Sequence, residues 1–110
     1  MNSYVALVGA IIAEVTGTTA LNLSNGFTEL IPSIIVVLGY GGSFYLLSLA
    51  LTDLPVGMIY ATWSGVGVVL IAVIGIVFFD EQIDIAGVLG FGLIIAGVYL
   101  LNVVSNTSAH

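Results

Sequence analysis

Four apolar stretches divide the chain, Tyr4 to Leu21, Ser33 to Leu51, Val56 to Phe79 and Ile85 to Val104. Runs of about 18 residues or more read as membrane-spanning helices, because in lipid every backbone N–H and C=O has to be bonded within its own segment. The breaks between them carry turn chemistry. Ser24-Asn25-Gly26 supplies turn formers, Thr28 is an expected N-cap, and Pro32 opens the second helix. Asp53-Leu54-Pro55 reads as a cap followed by a proline near the first turn of the third helix, where its missing N–H costs little. Asp80 to Asp84 forms the last turn, with Asp84 the expected cap of the fourth helix. Connections this short hold only antiparallel neighbours, so the fold class is all-α, a single four-helix transmembrane domain spanning residues 1–110.

One acidic position interrupts the pattern inside a span. Glu14 lies in the middle of the first apolar run. A charged group at that depth costs on the order of 2.5–3.5 kcal/mol on insertion scales, and such residues mark ion or substrate paths. On helical spacing Leu7, Ala10, Ile11, Glu14, Gly17, Thr18 and Leu21 share a face, and the small Ala10, Gly17 and Thr18 leave room around the carboxylate. Tyr40, Ser43 and Phe44 project together from the second helix, and Tyr60 and Trp63 from the third.

Composition narrows the function. With 60% hydrophobic and 5% charged residues among 110, the chain is far from soluble domains, which carry about 25% charged residues, and belongs in the cell membrane. It has no Lys or Arg and a net charge of −6, so Glu14 has no basic partner within the chain, and nucleic-acid binding is excluded for want of any group to neutralise phosphate. The other acids, Glu29, Asp53, Asp80, Glu81 and Asp84, fall at segment ends and read as caps and solvated loops. Without Lys or Arg in its loops, the chain carries no positive-inside signal and its membrane orientation stays open. Cysteine is absent, and too few oxygen ligands converge for a hydrated metal ion; neither cofactor nor metal is expected. His110 reads as a tail residue rather than a ligand. Met1-Asn2-Ser3 has no basic leader signature, so neither cleavage nor an appended soluble domain is expected.

A buried anion flanked by aromatic faces suits a lipophilic organic cation. It offers charge compensation, apolar walls and cation–π attraction of about 0.5–2 kcal/mol per well-placed ring. Desolvation favours the neutral carboxyl, whereas a bound cation favours the ionised one, so proton and cation compete for one group. That competition is the minimum chemistry of an antiporter.

Fourteen glycines need a reason. Gly65-Val66-Gly67 lies inside the third helix and reads either as a hinge or as close backbone packing. Gly90 and Gly97, with Leu93 and Ile94 beside them, form a small-residue seam on the fourth helix, while Gly92 and Ala96 form a competing pair on another face.

Several runs resemble the small multidrug resistance transporters, and within them the quaternary-ammonium branch: Ala13-Glu14-Val15-Thr16-Gly17-Thr18, Ser24-Asn25-Gly26-Phe27-Thr28 with Pro32-Ser33, Tyr60 to Gly67, and Gly90 to Val98. The resemblance implies an antiparallel homodimer in which two Glu14 side chains share one site for protons and drug. It implies aromatic contact of the cation by Trp63 and Tyr60, a binding or gating role for Tyr40, a chamber lined by Ala10 and Thr18, a bend at Gly65 to Gly67 and dimer contact through the fourth helix. Loop positions that usually carry Lys or Arg in that family hold Asn22, Glu29, Gln82 and Asn106 here. The expected function is proton-coupled export of lipophilic cations. The alternatives are a guanidinium exporter of the same family, a chain that acts only within a heterodimer or as a non-transporting membrane partner, and, more remotely, a rotor-ring proteolipid.

Overall fold

The computed structural model describes residues 2–106, so His110 lies outside the described residues. Four helices follow one another: α1 Ser3–Leu23, α2 Leu30–Ala50, α3 Val56–Phe78 and α4 Ile85–Tyr99, the last continued by a π-helical turn over Leu100–Val104. All four, taking α4 with its π turn, are long and apolar enough to cross a membrane. At 1.5 Å rise per residue, a helix such as α1 is about 30 Å long, the thickness of a hydrocarbon core. The contacts divide the chain into two units, Met1–Asp53 and Leu54–His110, each built on one helical hairpin.

In the first unit α1 packs along α2. Asn2 caps α1, its side chain accepting from Tyr4 N at 2.8 Å and Val5 N at 3.4 Å. The buried face of α1 is Ser3, Ala6, Leu7, Ala10, Ile11, Gly17 and Ala20, mostly small residues at helical spacing, which lets α2 come close. Leu21, expected on this face, is 37% exposed because the face ends with the helix. The turn after α1 is left-handed at three successive residues, Asn25 (φ 52°), Gly26 (φ 72°) and Phe27 (φ 66°). Asn and Gly tolerate that region; Phe does not, and its backbone N–H is held by the hydroxyl of the buried Ser24 at 3.1 Å.

Two expected caps are corrected. α2 begins at Leu30, three residues before Ser33, with Glu29 at the N-cap position; the Thr28 hydroxyl turns back to donate to Asn25 O at 2.8 Å. Pro32 therefore sits within the first turn, where its N–H would be unpaired in any helix. Asp53 does not cap α3, whose N-cap is Pro55. Its carboxylate instead accepts from the Ser3 hydroxyl at 2.8 Å and ties the start of α1 to the segment after α2.

In the second unit α3 packs against α4. Asp84 caps α4 as expected, accepting from Gly87 N at 2.8 Å. α4 is α-helical only to Tyr99; beyond it Ser105 N bonds Leu100 O at 2.7 Å, the wider π spacing. None of the side chains of α4 is fully buried.

Candidate functional site

The helix interior supplies no reason for Thr18 and Glu14 to be one turn apart except that i and i+4 side chains meet. Thr18 Oγ1 donates to Glu14 Oε1 at 2.9 Å. The same hydroxyl is hydrogen-bonded to the Tyr40 hydroxyl of α2. Glu14 Oε2 is buried and accepts no hydrogen bond among the described residues. A carboxylate with one oxygen bonded and the other dry and unpartnered is costly unless something fills that position.

Two glycines set this geometry. A methyl group on Gly39 would lie 2.8 Å from Ala13 O, 2.9 Å from Gly17 Cα and 3.0 Å from Gly17 N, all backbone atoms that a rotamer change cannot move. One on Gly17 would lie 3.4 Å from Tyr40 N and Cδ2. The two helices thus touch backbone to backbone, and the Tyr40 ring covers Gly17 on its way to Thr18. One turn along α2 from Gly39, the buried Ser43 donates to Ala10 O at 2.7 Å and closes the floor below Glu14. Glu14, Thr18, Tyr40, Ala10 and Ser43 are therefore brought together in one unit. Phe44, grouped with Tyr40 and Ser43 on helical spacing, is 60% exposed.

Tyr60 and Trp63 lie in the second unit, on successive turns of α3, with ring centroids 6.0 Å apart and planes inclined by 28°. Tyr60 is 64% exposed and Trp63 half-buried. Next to them, Thr62 is buried; its hydroxyl accepts from Asn102 Nδ2 at 2.8 Å, and the same Asn102 donates to Val98 O at 2.9 Å. At Gly65 the packing reading has support: a methyl there would meet Ile94 Cγ2 and Val98 Cγ2, both at 3.1 Å, beside an apolar groove of about 360 Å³ between α3 and α4. Gly90, Gly92 and Gly97 have open space where a side chain would stand.

Sequence reasoning missed Gly39, Asn102 and the Ser3–Asp53 link. For Gly39 a signal existed: Gly39 and Ser43 form a small-xxx-small pair facing Ala10, Ala13 and Gly17 on α1. Asn102 is, like Glu14, a polar residue inside an apolar run. Among the described residues no cluster of His, Cys, Asp and Glu has a metal-binding arrangement.

The family profile described as Small Multidrug Resistance protein matches residues 2–94. The chain is 48% identical to quaternary ammonium compound-resistance protein QacF of Klebsiella aerogenes over 110 residues, covering all of both chains. It is 49% identical to quaternary ammonium compound-resistance protein QacE of Escherichia coli and 46% identical to the multidrug transporter EmrE of Escherichia coli strain K12, again over the full length of each. Family and relatives are transporters and resistance proteins, not enzymes. With four helices able to span a membrane and a family match across most of its length, the chain belongs to the small multidrug resistance family of membrane transporters.

Proposed function

We propose that the chain is a proton-coupled antiporter that exports lipophilic and quaternary ammonium cations, with Glu14 carrying either a proton or the cation. The observation that carries this reading is the half-bonded carboxylate, one oxygen held by Thr18 and the other buried without a partner. A proton on the carboxyl, or an organic cation beside the unpartnered oxygen, neutralises the group, and the two exclude each other. The cation class is supported by the relatives' names as quaternary ammonium resistance proteins. Tyr60 and Trp63 supply the aromatic faces, Tyr40 a gating contact, and Ala10, Thr18 and Ser43 the lining.

Four helices are too few to enclose a midplane site with two gates, whereas an inverted pair of chains gives the pseudo-symmetric form common among secondary transporters. In our reading the transporter is an antiparallel homodimer with contacts at Gly90, Leu93, Ile94 and Gly97. In support, α4 has no fully buried side chain within its own unit, and Gly90 and Gly97 face open space. Gly65 and Gly67 form the bend that exchanges between the two chains as access alternates. Entry of two protons per monovalent cation expelled moves one net charge inward, worth about 2.3 kcal/mol per 100 mV, and each pH unit adds about 1.4 kcal/mol per proton.

The test is reconstitution of this chain alone in proteoliposomes with an imposed pH gradient. Uptake of ethidium or methyl viologen that collapses with the gradient and disappears in Glu14→Gln is expected. No uptake by the wild type, or undiminished uptake by Glu14→Gln, contradicts the proposal.

A further inference from the structure

We propose that Thr18 is a positioning residue that ties the charge of Glu14 to the hydroxyl of Tyr40, so that the hydrogen bonds of the site run in opposite directions in its cation-loaded and proton-loaded forms. This rests on the reading of Glu14 given above and deepens it.

A threonine hydroxyl has one hydrogen to give and two lone pairs. Here it is engaged on both sides at once, by Glu14 Oε1 and by the Tyr40 hydroxyl. An ionised carboxylate only accepts, so the Thr18 hydrogen goes to Oε1 and the Tyr40 O–H must point to Thr18. In that state the Tyr40 donor is consumed. When a proton arrives on Oε1, Glu14 becomes the donor to Thr18, the Thr18 hydrogen turns to the Tyr40 oxygen, and the Tyr40 O–H is released from Thr18. Each hydroxyl keeps its own hydrogen and only rotates, so the one proton gained stays on Glu14. Neither state leaves Thr18 unsatisfied.

The consequence is a rule for the ligand. In the ionised site the unpartnered oxygen is Oε2, and Tyr40 offers no donor. A cation with no hydrogen-bond acceptor of its own, such as a quaternary ammonium or phosphonium, loses nothing by the absence of that donor. The geometry is fixed by the backbone contact of Gly39 with Ala13 and Gly17, which leaves the Tyr40 ring the space a Gly17 side chain would take. From α2, the group facing Glu14 is Tyr40, through Thr18. Among the described residues, the other ionisable groups of this unit, Tyr4, Glu29, Tyr45 and Asp53, make no hydrogen bond to this chain of hydroxyls, and Asp53 is engaged by Ser3.

Tyrosine labelled with carbon-13 at Cζ reports the hydrogen bonding of its hydroxyl. The chain has five tyrosines, and Tyr40→Phe identifies the Tyr40 signal. The expected result is a Tyr40 signal that shifts with pH at the same midpoint as tetraphenylphosphonium binding. Thr18→Val abolishes that shift and costs about tenfold in phosphonium affinity, the worth of a hydrogen bond to a charged group; Thr18→Ser preserves both. A Tyr40 signal that titrates unchanged in Thr18→Val overturns the proposal. So does a wild-type Tyr40 signal indifferent to pH while Glu14→Gln abolishes phosphonium binding, a result that leaves the antiporter reading standing. Phosphonium binding at wild-type affinity in Glu14→Gln removes the antiporter reading, and this proposal with it.

Discussion

Gly39 and Gly17 hold α1 and α2 in backbone contact, with 2.9 Å between Gly17 Cα and the position a Gly39 side chain would take. Small residues at such a crossing gain van der Waals contact that lipid cannot replace, and they bring the side chains flanking them within reach of each other. Tyr40, the neighbour of Gly39, reaches Thr18, the neighbour of Gly17, for this reason.

Gly39→Ala is therefore expected to push the helices apart. Overpacking of this kind costs about 1–3 kcal/mol, set against a helix-propensity gain of about 1 kcal/mol for replacing glycine. Thermal unfolding in detergent will show the loss, accompanied by weaker phosphonium binding. Gly41→Ala, which meets nothing within 4 Å, is the control and should be neutral or slightly stabilising.

The stacked pair on α3 makes a second prediction. Trp63 is the better cation–π surface, and removal of one good ring costs about 0.5–2 kcal/mol, or roughly 2- to 30-fold in affinity. Trp63→Ala should lose that amount for tetraphenylphosphonium, and Trp63→Phe a smaller part of it. Equal affinity in all three proteins would remove the aromatic contact from the account.

The Asn102 amide bridges from the π turn to the buried Thr62 hydroxyl, directly before Trp63. Side-chain hydrogen bonds between membrane helices average about 0.6 kcal/mol and reach about 1.7. A double-mutant cycle with Asn102→Leu and Thr62→Val should return a coupling energy within that range by reversible unfolding. Strict additivity would mean that the bond contributes nothing to holding α4 on α3.

What the sequence made legible followed from the strength of each local signal. Four helices were readable because an apolar run of spanning length has few alternatives in lipid, and Glu14 stood out as the one carboxylate inside such a run. Helical spacing put Thr18 on one face with Glu14, and Tyr40 on one face with Ser43, and the structure joins Thr18 to both Glu14 and Tyr40. The close contact at Gly39 was not foreseen: the Gly39 and Ser43 pair marks a small-residue face, but which residues of another helix stand opposite it is not written in the pair itself. Nor were the caps at Thr28 and Asp53: cap preference is worth about 1 kcal/mol, and here it yielded to a left-handed turn and to the Ser3 hydroxyl. The π turn at Leu100–Val104 has no marker in its apolar side chains; its one polar residue, Asn102, bonds Thr62.

The central claim is that one carboxyl serves proton and cation by turns, and equilibrium binding of tetraphenylphosphonium across a pH series tests it most directly. Affinity should be flat at high pH and then fall by about tenfold per pH unit for each competing proton as Glu14 is protonated. Glu14→Gln should bind too weakly to titrate. An affinity that does not change from alkaline to acid pH would contradict the account.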